Sequence, residues 1–570
     1  MHKLPGGGVA VGRVVGALRN NVRVTDTAAP LGDTADARKA RGAFFTPAEI
    51  TRYLARWAVR SADDQVFEPA AGDAAFLVAA AERLRELGGE RPVLHGVEIH
   101  AGSAVVARRR VAAAGATARI RTADLFALTP QSVHDVVIGN PPYIRYQDFR
   151  GSMRAQSRRA ALQAGVTLSA LASSWAAFTV HAALFLRPGG RMALVLPAEL
   201  LSVNYAGAVR KFLFDRFARV ELVMFDEQVF PEAEADVVLL LADGFDAGPS
   251  GHAVIHRATN AASLTSQLAQ RSWVPQDPAD KWVSGLIGPG PVDALHALHA
   301  AGEFAVLEHW GDTTLGMVTG NNGYFALSPR RATELGLGSR DLLPLSPPGS
   351  AHLRALTLTS TELVKLGDNG KSIHLFRPSG RPSAAAGRYI DAGYAAGVHL
   401  AYKCRVRAPW YRVPLLAPAD LLLTCMNADT PRLVTNRAKA HHLNSVHGVY
   451  LRDEVRALGR DLLALAALNS VSVLHAEMVG RSYGGGILKL EPREADRWLV
   501  PSAELVARRD EQLRACRRPV TAALRAGRLL DAVRIVDTAL GLDAATDMVA
   551  IRAARESLAS RRAARSRRAR

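Results

Sequence analysis

The chain has 570 residues, 48% of them hydrophobic, with a mean hydropathy of +0.03, which describes an ordinary globular protein long enough for two main domains and a tail. No run approaches the roughly 18 apolar residues of a spanning helix, the first residues lack the apolar core of a secretory signal, and three scattered cysteines (Cys404, Cys425, Cys516) suit neither a disulfide framework nor a zinc cluster. A cytoplasmic chain without membrane contact or bound metal is therefore expected, and 71 Lys and Arg against 53 Asp and Glu, a net charge of +18, is the footprint of a polyanion binder.

Residues 1–40 are rich in Gly, Ala and polar side chains and are expected to form an arm. After Phe44-Phe45 a helix is expected to begin, with Thr46 as N-cap, Pro47 at the first helical position and Ile50, Tyr53, Leu54 and Trp57 at helical spacing. The stretch 65–77 passes from a strand through the small-residue turn Glu68-Pro69-Ala70-Ala71-Gly72 into an apolar helix, so that the backbone can approach a ligand at the helix N-terminus. A second strand, 93–98, ends in Glu98, a position from which a carboxylate can hold both hydroxyls of a nucleoside ribose. A third, 118–121, leads to Asp124-Leu125.

The fourth strand, Asp135-Val136-Val137-Ile138-Gly139, stops at Asn140-Pro141-Pro142-Tyr143. Two prolines fix φ near about −65° twice and remove two backbone donors. What remains is a rigid pair of acceptors, the Asn140 side-chain oxygen and the Pro141 carbonyl, beside the flat ring of Tyr143. Such a pair suits a planar amine, whose lone pair it draws out of ring conjugation while stabilising the charge gained on alkylation. A helix over 175–186, a strand over 191–197 and a helix over 205–217 follow. Strands over 219–225 and 236–242 then form a closing hairpin around Val229-Phe230-Pro231, with Phe230 free either to stack on a planar group or to fill a core edge. Strands alternating with helices predict an α/β fold with a doubly wound, mainly parallel sheet and a ligand beyond the strand C-terminal ends, where Glu68, Glu98, Asp124 and Asn140 converge.

Residues 249–295, rich in Ala, Ser, Pro and Gly, read as a linker, and 296–500 as a second, α+β domain. Between 401 and 450 there are 7 Lys and Arg against 2 Asp, interleaved with aromatics and amides, as phosphate contact combined with base-edge reading requires. The candidate DNA contacts are Lys403, Arg405, Arg407, Trp410, Tyr411, Asn436, Arg437 and Lys439. Residues 501–570 read as a helical basic tail whose arginine-rich end is disordered in isolation.

Phe45-Thr46-Pro47, Glu68-Pro69-Ala70-Ala71-Gly72, Gly96-Val97-Glu98, Asp124-Leu125, Asn140-Pro141-Pro142-Tyr143 and Val229-Phe230-Pro231 occur in the order found in DNA adenine-N6 methyltransferases of γ arrangement, which the chain resembles over residues 41–248. The resemblance implies a class I, Rossmann-like methyltransferase domain that uses S-adenosylmethionine, followed by a target-recognition domain. It places Thr46, Glu68, Ala70, Gly72, Glu98, Asp124, Leu125 and Asn140 at the cofactor. Asn140, Pro141, Pro142, Tyr143 and Phe230 fall at the flipped target base. It further implies double-stranded DNA as substrate, a chain monomeric on DNA, and a separate restriction endonuclease or defence subunit as partner. The glycine usual two positions after Gly72 is Ala74 here. The tetrapeptide by itself also fits methylation of cytosine N4, of ribosomal RNA guanine N2 or of protein glutamine, and a non-catalytic DNA-binding subunit would keep the same fold.

Overall fold

Parallel strands are covered on both faces and so read as continuous apolar runs, and the run 135–138 lies at the centre of a nine-stranded sheet. The computed structural model describes residues 46–144, 151–227, 229–230, 237–265, 267–544 and 547–564. The expected N-terminal arm, Phe45, Pro231 and the last six residues lie outside them.

The strands are β1 (Val66–Glu68), β2 (Val93–Glu98), β3 (Thr117–Thr122), β4 (His134–Gly139), β5 (Leu186–Pro197), β6 (Phe217–Phe225), β7 (Val237–Phe245), β8 (Ala253–Ala258) and β9 (Ala269–Trp273). Their order is β3-β2-β1-β4-β5-β7-β6-β8-β9, with β3 through β5 parallel and β7 running antiparallel between β5 and β6. This is the doubly wound, Rossmann-like class I sheet. Side chains alternate across it. Val136 and Ile138 join Ile50, Leu54 and Leu77 on one face, beneath the helices Ala48–Ala58, Ala75–Glu86 and Ala101–Ala113. Val137 joins Trp175, Leu194 and Leu213 on the other, beneath Ser174–Ala183 and Gly207–Arg216.

Three sequence expectations change here. Residues 249–295 are not simply a connection, because β8 pairs in parallel with β6, β9 closes the sheet edge, and Ala253, Ile255 and Ala258 enter the two cores. Thr46 does not cap the first helix: Pro47 is the N-cap residue and no side chain bonds to the helix start. The C-terminal segment is not an appended tail. Helices Asp510–Arg525, Leu529–Leu540 and Met548–Ala564 bury Leu513, Val520, Val536, Ile551 and Leu558 in one core with Val283, Trp310, Leu421 and Trp498.

That second core covers one face of a five-stranded sheet built from Gly311–Leu315, Val446–Leu451, Leu421–Thr424, Leu433–Asn436 and Thr357–Leu358, while Leu358, Leu422, Val434 and Val446 join a separate cluster. A smaller cluster around Phe325, Phe376, Tyr389 and Cys404 forms a lobe beside it. Among the described residues no single helix is long and apolar enough to cross a membrane.

Candidate functional site

The strand order reverses between β1 and β4, which opens a crevice beyond their C-terminal ends. Glu68 ends β1 and lies against Gly139, where an added Cβ would stand 3.5 Å from Glu68 Cγ. Burial, and then the negative charges of Asp73 and Glu98, hold the Glu68 carboxyl well above its ordinary 4.5, while the Leu77 N–H and Arg110 act against them. Its Oε2 is buried with no hydrogen-bond partner among the described residues. Because the folded-state pKa is raised, the native state binds this proton more tightly than the unfolded chain, so Glu68 favours folding below about 4.5 and that contribution is lost as pH rises toward the folded value. Glu68→Gln should therefore flatten the decline in thermal midpoint above pH ~4.5. An unchanged pH profile would remove the assigned shift.

At the end of β2, Glu98 holds the turn after β1 together. Its Oε2 accepts the Gly72 N–H at 2.8 Å and its Oε1 the His100 N–H at 2.8 Å. Gly72 has φ +51°, and no atom of the described residues lies within 4 Å of where a Cβ would stand. Ala74, which caps the following helix at φ +64°, occupies a left-handed conformation that a glycine adopts freely. That strain is of order 1 kcal/mol. The fully buried Ala74 methyl returns about 0.8 kcal/mol, so the departure from glycine is nearly neutral. Asp124 accepts the Phe126 N–H at 3.0 Å, Leu125 is buried beneath it, and Ala70 is half-buried in the Glu68 turn.

Asn140 leaves β4 with its amide already oriented. Nδ2 donates to Thr46 Oγ1 at 3.2 Å, and Oδ1, also buried, has no partner among the described residues. Thr46 thus steers the amide instead of capping a helix. The Tyr143 hydroxyl donates to the Val195 carbonyl of β5 at 3.0 Å, and burial pushes its pKa well above 10. Its ring packs between the two face cores. Phe230 lies in the core with Val223, Val237 and Leu239 and is only 4% exposed, so its ring fills the sheet edge in this conformation.

Sequence reasoning missed Ser174. With Pro141 and Pro142 offering no N–H, the turn can be secured only through its carbonyls and the next amides. Ser174 Oγ donates to the Pro142 carbonyl at 2.5 Å and accepts the Ile144 N–H at 2.8 Å, and its own N–H donates to the Ile144 carbonyl at 3.1 Å. The sequence signal was only a Ser-Ser pair at a helix start. Behind it the fully buried Trp175 indole donates to Glu199 at 3.2 Å and to the Tyr205 hydroxyl at 3.1 Å, which fixes this helix to the end of β5. Ser174→Ala should lower the single-turnover rate about tenfold to a hundredfold through misplacement of the turn, with cofactor affinity nearly unchanged by calorimetry. Equal losses of rate and cofactor affinity would contradict a role confined to the turn.

The candidate DNA contacts divide. Lys403, Arg405, Arg437 and Lys439 are exposed. Arg407 is not available: its guanidinium donates to the carbonyls of Thr319, at 2.7 Å, and Val318, and burial lowers its pKa. Asn436 is 1% exposed; its amide nitrogen serves the carbonyls of Ala419 and Ala440 and its oxygen the Ala440 N–H, so it locks a tight turn and presents no edge to a base. Trp410 packs 5.5 Å from Tyr324 in the small lobe, with Tyr411 half-buried beside it. Replacing Lys403 and Arg405 together by alanine should weaken duplex binding about tenfold and make its salt dependence shallower, whereas Arg407→Ala should lower stability by about 1–3 kcal/mol through orphaned carbonyls. Chemical denaturation and anisotropy separate the two outcomes.

Residues 31–248 match the N-6 DNA Methylase family, and residues 279–540 match the C-terminal domain of Type II methyltransferase M.Eco57I. The chain is 27% identical over 506 residues to Type II methyltransferase M.XamI of Xanthomonas campestris pv. amaranthicola, covering 85% of this chain and 90% of that one. It is 22% identical over 384 residues to Type II methyltransferase M.AccI of Acinetobacter calcoaceticus, covering 64% and 69%. Among solved structures, the Type IIL restriction-modification enzyme MmeI in complex with DNA superposes with a TM-score of 0.55 at 12% identity, covering 90% of this chain and 75% of that one, and so shares its fold.

S-adenosylmethionine is the cofactor of such methyltransferases, and the residues present fit it: the buried Glu68 carboxyl, with an oxygen that has no partner among the described residues, could receive its cationic end beside the Gly72 turn that Glu98 clamps. With its two halves matching those two models in order along a class I sheet, and with relatives of that kind along most of its length, the chain is a DNA methyltransferase of Type II restriction-modification kind.

Proposed function

We propose that the chain methylates the exocyclic N6 amine of an adenine flipped out of double-stranded DNA, as the modification enzyme of a restriction-modification or phage-defence system. The observation that carries this reading is the Asn140 amide, whose Nδ2 is engaged by Thr46 while the buried Oδ1 is left as an acceptor without a partner. A target amine donating to Oδ1 and to the Pro141 carbonyl satisfies that acceptor, and the amine nitrogen gains nucleophilicity as its lone pair leaves ring conjugation. Flipping is required because a base stacked and paired within the duplex cannot present its amine to this buried turn. The Tyr143 ring, held by Val195 and by packing on both sides, offers the base a fixed face. S-adenosylmethionine, when bound, supplies an electrophilic methyl group, and the buried Glu68 and the Glu98 clamp orient it from the neighbouring strand ends.

No cysteine among the described residues is near this edge, since Cys404, Cys425 and Cys516 all lie in the second half, so direct transfer to an amine is favoured over covalent cytosine-C5 chemistry. Cleavage is assigned to a separate endonuclease or defence subunit, and the chain to acting on DNA as a monomer. The test is incubation of the purified chain with duplex DNA and labelled cofactor, followed by nucleoside digestion and mass spectrometry. Labelled N6-methyl-2′-deoxyadenosine supports the proposal. N4-methylcytosine as sole product overturns the base assignment, and no labelled nucleoside from any duplex overturns the activity.

A further inference from the structure

The helix Gly151–Gln163 follows the catalytic turn closely in sequence and packs on two elements, the helix that Ser174 begins and the short turn Leu125–Ala127. It is seated by small side chains alone: Ser157, Ala160 and Ala161 are its buried residues. At 100° per residue these three lie on one side, and the opposite side presents Ala155, Arg158, Arg159 and Leu162. Arg158 and Arg159 are exposed, and neither makes an ion pair among the described residues.

Two features set this face apart from ordinary solvated charge. The helix Gly151–Gln163 carries no acidic residue, so nothing on it neutralises Arg158 and Arg159. The comparably arginine-rich helix Ala101–Ala113 uses its arginines internally, Arg108 on the Ile120 carbonyl and Arg110 on Asp73. Among the elements packed on Gly151–Gln163, the acid beside Leu125–Ala127 is Asp124, whose Oδ1 already accepts the Phe126 N–H.

We infer that the outer face of Gly151–Gln163, through Arg158 and Arg159, is a phosphate clamp of the methyltransferase half that grips the duplex backbone beside the flipped base. It rests on the DNA substrate proposed above. The occupant is fixed by charge: two unopposed guanidiniums on consecutive positions recognise phosphate oxygens and carry no sequence information.

The experiment is duplex binding by the full chain, measured by anisotropy with a labelled duplex of arbitrary sequence over a series of salt concentrations. Wild type is compared with Arg158→Gln/Arg159→Gln and with the charge-matched control Arg109→Gln/Arg119→Gln. Loss of two phosphate contacts should make the slope of log affinity against log salt shallower by about 1.8 and weaken binding about tenfold, with cofactor affinity unchanged by calorimetry. A wild-type slope in the double variant, or an equal change in the control, overturns the clamp while leaving DNA as substrate intact. Failure of wild type to bind any duplex overturns the substrate reading and the clamp with it.

Discussion

Asn140→Ala is expected to abolish methyl transfer, with the single-turnover rate falling by at least about a hundredfold to a thousandfold, the range found when one preorganised hydrogen-bonding group is removed from a developing charge. The substitution deletes the oriented Oδ1 acceptor and frees Thr46 Oγ1, but touches neither the Glu98 clamp on Gly72 nor the buried Glu68. Cofactor affinity measured by calorimetry should therefore change by less than about a factor of ten, below roughly 1.4 kcal/mol. Asn140→Asp retains an acceptor in the same place and should keep more activity than the alanine variant. Equal loss of cofactor binding and transfer in the alanine variant would mean that Asn140 belongs to the cofactor pocket and not to the target amine.

The second large effect concerns stability. Arg562→Ala should destabilise the C-terminal half by about 3–5 kcal/mol, because it leaves Glu477 as an uncompensated buried carboxylate. Arg562 is 4% exposed and meets Glu477 at 2.7 and 3.0 Å, while it also donates to the carbonyls of Ala428 at 3.1 Å, Asp429 at 3.0 Å and Gly486. A loss of this size corresponds to a thermal midpoint lower by about 10 °C. The double variant Arg562→Met/Glu477→Leu removes both charges and should be less destabilised than Arg562→Ala alone, since only one buried charge is costly. Scanning calorimetry of the single and double variants decides it. A double variant worse than Arg562→Ala would assign the stability to the carbonyl contacts and not to the charge pair.

The methyltransferase half was legible because each strand end carries a chemically marked residue. Strands lead to Glu68, Glu98, Asp124 and Asn140, three of them apolar runs and the one before Asp124, Thr117–Thr122, a polar edge strand, and one topological rule gathers their ends at one edge. What was not legible depends on partners distant in sequence. β8 and β9 are short and lie among Gly, Ser and Pro residues, and only their pairing with β6 makes them strands. Thr46 carries the local pattern of a cap, yet its partner is 94 residues away. Asn436 lies in a basic, amide-rich stretch, but its amide closes its own turn. Arg562 looked like one more charge in an arginine-rich end, and only Glu477, 85 residues earlier, reveals it as a core residue. Composition therefore separated the two halves but could not tell a DNA-facing arginine from one that holds the fold.

The placement of the helix Met548–Ala564 in the second core also sets an order of events during synthesis. The nine strands are complete at Trp273 and their cores at Trp282, so that half can close while the chain is still emerging from the ribosome. The other half, whose core runs from Val283 to Leu558, cannot close until the chain has been made as far as Leu558. During that interval the molecule has a folded cofactor crevice but an open reading half, and a nascent chain arrested before residue 548 would remain in that state.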